Sequence, residues 1–141
     1  MVVKATIRLD KMPHLMAIIR QLKKRKIAVG IFDSKNASKA YKMEYGDPTN
    51  KPGPIPPRPF MRRAIQNMPT VKVSFIELWA KGVKNSLNEV GLQFVDVIKK
   101  SIDDAKFWAM PLRPYTVRKK GHDEPLKDTL EMYNSIKVLI K

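Results

Sequence analysis

The chain has 141 residues, 43% of them apolar, which suits one domain with a modest core and excludes a wholly disordered chain. It contains no cysteine, so disulfides, a thiolate nucleophile and a thiolate metal site are excluded and a reducing compartment suits it. Its 28 Lys and Arg against 13 Asp and Glu give a net charge of +15, which favours an anionic neighbour, either nucleic acid or an acidic protein surface.

The first residues alternate in polarity. Val3, Ala5, Ile7 and Leu9 share one face, with Lys4, Thr6 and Arg8 opposite, as in a half-buried strand near 2–9. No signal-peptide core is present, and no apolar run approaches the roughly 18 residues that span a bilayer. The chain reads as a soluble intracellular product. A helix is expected over about 11–25, capped by Asp10, with Pro13 in its first turn and Leu15, Ile18, Ile19 and Leu22 as its apolar stripe. Lys23, Lys24, Arg25 and Lys26 close it, where cations suit the helix dipole. Ile27, Val29 and Ile31 then alternate as a strand near 26–33.

Prolines at 48, 52, 54, 56, 57 and 59 exclude a helix interior or a central strand over the following loop, 46–59. An extended, stiff arm of polyproline type is expected, holding its shape by lying on something else, often another subunit. The longest periodic segment follows, over about 70–105. Phe75, Trp79, Val83, Leu87, Val90, Phe94, Ile98 and Ile102 recur at helical spacing, with Thr70 as a candidate cap. Unbroken, this helix would be about 50 Å long, although Gly82 and Gly91 each weaken it. A second irregular loop, 109–127, is punctuated by Pro111, Pro114, Gly121 and Pro125. Asp128 or Thr129 can cap a short helix before Ile136, Val138 and Ile140 alternate as a strand near 135–140. The expected fold class is α+β: a small, mostly antiparallel sheet packed against the long and the short helix, in one domain covering 1–141.

No catalytic constellation is legible. His14 has no ligand-type neighbour at metal-binding spacing, and the His122-Asp123-Glu124 run suits a solvated turn. Asp103 and Asp104 are adjacent on a helix and point about 100° apart, so they do not face each other as an acid/base pair. Glycine-rich phosphate loops and nucleophile elbows are absent. The enzyme reading rests on nothing positive, and no cofactor or metal is expected.

Two segments resemble a known pattern. Tyr41-Lys42-Met43-Glu44-Tyr45-Gly46 with Ile55-Pro56-Pro57-Arg58-Pro59-Phe60-Met61-Arg62 resembles a signature of tailed-bacteriophage tail-completion and neck proteins. These include the virion-morphogenesis and minor-tail-protein-Z-like groups. Pro111-Leu112 through Gly121, then Pro125-Leu126-Lys127-Asp128-Thr129, resembles a second stretch of the same proteins, continued by Met132, Ser135 and Ile136. Leu130 stands where that pattern has glycine, and leucine is poor at positive φ, so a different local turn is expected.

The resemblance implies a virion protein, assembled in the host cytoplasm, that forms a ring of identical subunits, expected as a hexamer, at the head-proximal end of the tail. Its partners would be neck, connector and tail-tube proteins, with packaged DNA passing nearby and no membrane. Tyr41, Glu44, Tyr45, Ile55, Pro56, Pro57, Arg58, Pro59, Phe60, Arg62 and Arg63 would carry subunit or partner contacts, with Phe60 as a rigid apolar anchor. The competing reading is that Phe60 folds back onto its own chain and starts the next helix. Lys23, Lys24, Arg25, Lys26, Arg113, Arg118, Lys119 and Lys120 are candidates for DNA-channel or acidic-partner contacts. The rival function is a basic nucleic-acid-binding protein. The charge favours it, but the aromatics fall mostly on the helical stripe and leave no stacking platform.

Overall fold

The computed structural model describes residues 12–51 and 53–141. The expected strand over 2–9 and the cap at Asp10 lie outside the described residues. Helix α1, Met12–Lys24, forms as its apolar spacing predicts, with Lys23 and Lys24 in its last turn. Strand β1, Ile27–Ile31, pairs antiparallel with β2, Ile136–Ile140, in the register Ile27↔Ile140 to Ile31↔Ile136. Lys26 and Lys141 extend the ladder by exchanging backbone hydrogen bonds of 2.7 and 2.9 Å.

The expected architecture is corrected at this point. The described residues form eight helices and a two-stranded sheet that does not close. The molecule is therefore mostly helical, rather than a sheet backed by two helices. Two strands alone are marginal in water, and α5, Val83–Asp103, supplies the apolar surface that supports them. Gly91 of α5 lets the strand pair approach closely. A β-carbon built there would stand 2.4 Å from Val138 Cγ1.

Three further helices arise, two in stretches to which the sequence gives no element and one inside a predicted loop; the second of them starts at Phe60, as the competing reading of that residue expects. The first is α2, Ser34–Tyr45, whose N-cap Asp33 accepts from Asn36 N at 2.8 Å. It buries only Ala40 and Glu44, so it carries no apolar stripe to read. The second is α3, Phe60–Gln66, which starts directly from the proline loop. The third is α7, Pro114–Lys120, inside the loop expected over 109–127. It has Pro114 in its first turn and left-handed Gly121 as its C-cap.

The long helix expected over about 70–105 is also broken. Residues 70–74 are not helical; Ser74 rather than Thr70 caps α4, Phe75–Lys81, through a capping box with Glu77. Gly82, at φ 81°, ends α4 and begins α5. The break lets the buried face turn. Val83, Val90, Ile98 and Ile102 are buried as the stripe predicts, and Val95, Ser86 and Ser101 join them, but Trp79 is 43% exposed. The chain continues through α6, Ala105–Trp108, and α8, Glu131–Asn134, into β2.

The core gathers Phe60 and Ala64 of α3, Val95, Ile98 and Ile102 of α5, and Leu126, Met132 and Ile136. Leu130 takes the left-handed conformation, φ 61° and ψ 2°, so the turn keeps the geometry that glycine would give it.

Candidate functional site

The proline loop is pinned to its own chain rather than projecting as an arm. Asp47 and Ile55 exchange backbone hydrogen bonds of 2.9 and 2.8 Å and close the loop at its base. Within it, the Asp47 carboxylate accepts from Thr49 N at 3.0 Å and Thr49 Oγ1 at 2.7 Å, and it pairs with Lys42 at 3.2 Å. These hydrogen bonds, with that of Lys42, hold its pKa below the usual carboxylate value. Gly46, at φ 80°, is required here. A β-carbon would lie 2.8 Å from the Ile55 carbonyl oxygen.

Glu44 organises the junction. Buried to 5% exposure, its carboxylate accepts from Met61 N at 2.9 Å, Arg62 N at 3.1 Å and Arg62 Nε at 3.0 Å. Arg62 also donates to the Glu44 carbonyl at 3.2 Å. A residue sixteen positions upstream of Phe60 thus caps the open N–H groups of α3, a service that Pro59 at the N-cap cannot give. Phe60 is 0% exposed and lies in the chain's own core, which matches the fold-back reading of that residue. Its carbonyl accepts from Ser101 Oγ at 3.0 Å, and the Ser101 carbonyl accepts from Trp108 Nε1 at 3.0 Å.

Other side chains of the same segment remain outside. Tyr41 and Tyr45 are exposed, with ring centroids 4.8 Å apart, and the Arg62 guanidinium sits 5.0 Å above Tyr45. Arg63 lies 5.1 Å over Trp108. Ile65, one turn further along α3, is 67% exposed. Sequence reasoning missed it because a lone isoleucine in a short basic helix carries no periodic signal. Pro56 and Pro59 are half-buried and Pro57 is exposed.

The two segments that carry the resemblance meet in the core, where Phe60 joins Leu126, Met132 and Ile136, and Arg58 bonds the residue just before the second segment. Arg58 is 5% exposed; its N–H donates to the Met43 carbonyl at 2.7 Å, and its Nε and Nη2 both donate to the Met110 carbonyl at 3.3 Å. Burial pushes its pKa down. Arg113 Nη1 lies against Gly53 of the first segment. Lys120 donates to the Glu124 carbonyl at 3.4 Å and to the Lys127 carbonyl. Its burial lowers its pKa. Asp128 and Glu124 act the other way, and the charges of Arg58 and Lys39 press it further down. Arg118 and Lys119 are exposed. Lys23, Lys24, Arg25 and Lys26 are exposed where α1 enters β1, and the β ladder brings Lys141 to the same place.

The geometry offers binding surface rather than reactive groups. Among the described residues no set of three His, Cys, Asp or Glu could hold a metal. A cleft of about 280 Å³ between α1 and the α4–α5 joint is lined by His14, Ile18, Leu78, Trp79 and Val83, among others. His14 is its one titratable group among the described residues, and its ring lies 5.2 Å from that of Trp79. His122 Nδ1 accepts from Glu124 N at 3.3 Å, a local turn contact. No helix among the described residues is long and apolar enough to cross a membrane. No protein-family model, curated protein or solved structure matches the chain.

Proposed function

We propose that this chain is a non-catalytic structural subunit of a tailed-phage neck or tail, which acts by assembling into a ring that completes the tail and joins it to the head. The observation that carries this reading is the meeting of the two resembling segments in one core, where Phe60 of the first joins Leu126, Met132 and Ile136 of the second, while Arg58 reaches the Met110 carbonyl just before it. Residues that share a signature are expected to share a structural unit, and these do. The unit leaves Tyr41, Tyr45, Arg62 and Ile65 on the surface as contact residues, while Glu44 and Phe60 hold them in place from within. Exposed aromatic and arginine side chains are the types that anchor protein interfaces.

Sedimentation of the purified protein over a wide concentration range, alone and mixed with neck and tail proteins encoded beside it, tests the reading. A closed oligomer is expected, and Ile65→Asp or Tyr45→Asp should weaken it at least tenfold while leaving the helical circular dichroism unchanged. A monodisperse monomer in every mixture would overturn it.

The second reading, a nucleic-acid-binding protein, is favoured by the convergence of Lys141 with Lys23–Lys26. Tight, sequence-selective binding of DNA by the isolated protein would support it. Weak binding with a steep salt dependence suits a wall past which DNA slides.

A further inference from the structure

Among the described residues Arg58 and Glu44 are the two buried charged side chains, each 5% exposed, and they are treated very differently. Glu44 has a cationic partner and two backbone donors. Among the described residues the side chain of Arg58 has one neutral acceptor, the Met110 carbonyl, shared at 3.3 Å by Nε and Nη2. No carboxylate pairs with it among the described residues. A guanidinium carries five donors in a planar fork matched to a carboxylate or phosphate, and a buried one ordinarily has such a partner.

The free edge is not sealed. Among the described residues, the one fully covered side-chain polar atom without a partner is Asn36 Oδ1, so Arg58 Nη1 is reachable from solvent. The surroundings add positive charge. Lys120 is half-buried, with its ammonium on backbone carbonyls. Asp128, the strongest charge acting on it, attracts it, Arg58 and Lys39 repel it, and Glu124 attracts it more weakly.

We propose that Arg58, with Lys120 near it and Lys39 near Lys120, is a receptor for a single oxyanionic group, a carboxylate or a phosphate, at the junction of the proline loop and the segment before α7. The anion would complete the fork of Arg58, which no carboxylate of the described residues fills. A side-chain carboxylate of a neighbouring protein and a free phosphate ion present the same chemistry to it. The inference does not depend on the virion reading, because it rests on the guanidinium of Arg58 and the basic side chains near it.

Thermal unfolding in chloride, acetate and inorganic phosphate at matched ionic strength tests it. Phosphate should raise the midpoint of the wild type by about 3 °C or more over chloride. An acetate response as well would assign the site to carboxylates in general, and a response to phosphate alone to phosphate. Arg58→Met should lose the shift and keep or improve its midpoint in chloride, since an unpaired buried charge is gone. Lys39→Gln, on a half-exposed side chain that leaves folding intact, should reduce the shift by at least half, and Lys23→Gln should retain it. An equal phosphate shift in wild type and Lys39→Gln, or no difference between phosphate and chloride, would overturn the proposal.

Discussion

Glu44 does the work of an N-cap from a distance. Its two backbone contacts at the start of α3 and its ion pair to Arg62 make it the residue on which the proline-loop junction depends. Glu44→Ala is expected to cost about 2–3 kcal/mol, seen as a lower urea midpoint. Glu44→Gln should cost less, because an amide oxygen still accepts. Gly46→Ala meets both a positive φ and a backbone oxygen, and is expected to cost about 2 kcal/mol or more. Leu130 offers the opposite case. It is held in the left-handed region while 45% exposed, so Leu130→Gly sacrifices little burial and removes the steric cost. A gain of about 0.5–1 kcal/mol is expected in the same urea titration. No gain would mean that local packing of the leucine outweighs its strain.

At the scale of elements, legibility followed apolar periodicity. The paired strands and α1 were readable because Ile27, Val29, Ile31, Ile136, Val138 and the α1 stripe repeat at a period of two or 3.6. Helix α2 was not, because its inward positions are Ala40 and Glu44, one small and one charged. Helix α7 was hidden by punctuation, since the proline and glycine that mark a loop also mark the two ends of a short helix. Of the candidate site, the exposed Tyr41, Tyr45 and Arg62 were named from the sequence. The roles of Glu44 as a cap and of Arg58 as a buried donor were not, because both arise from residues that meet only in the fold.

Helix α4 yields a further test at this scale. Ser74→Ala should cost about 1 kcal/mol. The backbone N–H and then the hydroxyl of Ser74 hold the Glu77 carboxyl below its ordinary pKa. A lowered carboxyl pKa contributes stability above the ordinary value that is lost as pH falls through the folded value. Alanine keeps the N–H and loses only the smaller contribution of the hydroxyl, so the acid limb of thermal stability should flatten slightly in Ser74→Ala, measurable by calorimetry across the acidic range.

For the whole molecule, a net charge of +15 sets the behaviour at long range. Retention on DNA or on an acidic matrix should fall steeply with salt, whatever the fold contributes. Replacing Lys23, Lys24, Arg25 and Lys26 together by glutamine should lower that salt slope and leave the midpoint of unfolding nearly unchanged, because all four are exposed. A slope equal to that of the wild type would mean that other basic segments dominate. The strand pair and α5 hold the molecule together where Gly91 meets Val138, with no space for another carbon. That contact restricts how related chains can diverge. A larger residue at position 91 can persist only beside a smaller one at 138, so the two sites should drift as a pair, and a homologue with alanine at 91 and valine at 138 would have to carry its sheet further from the helix.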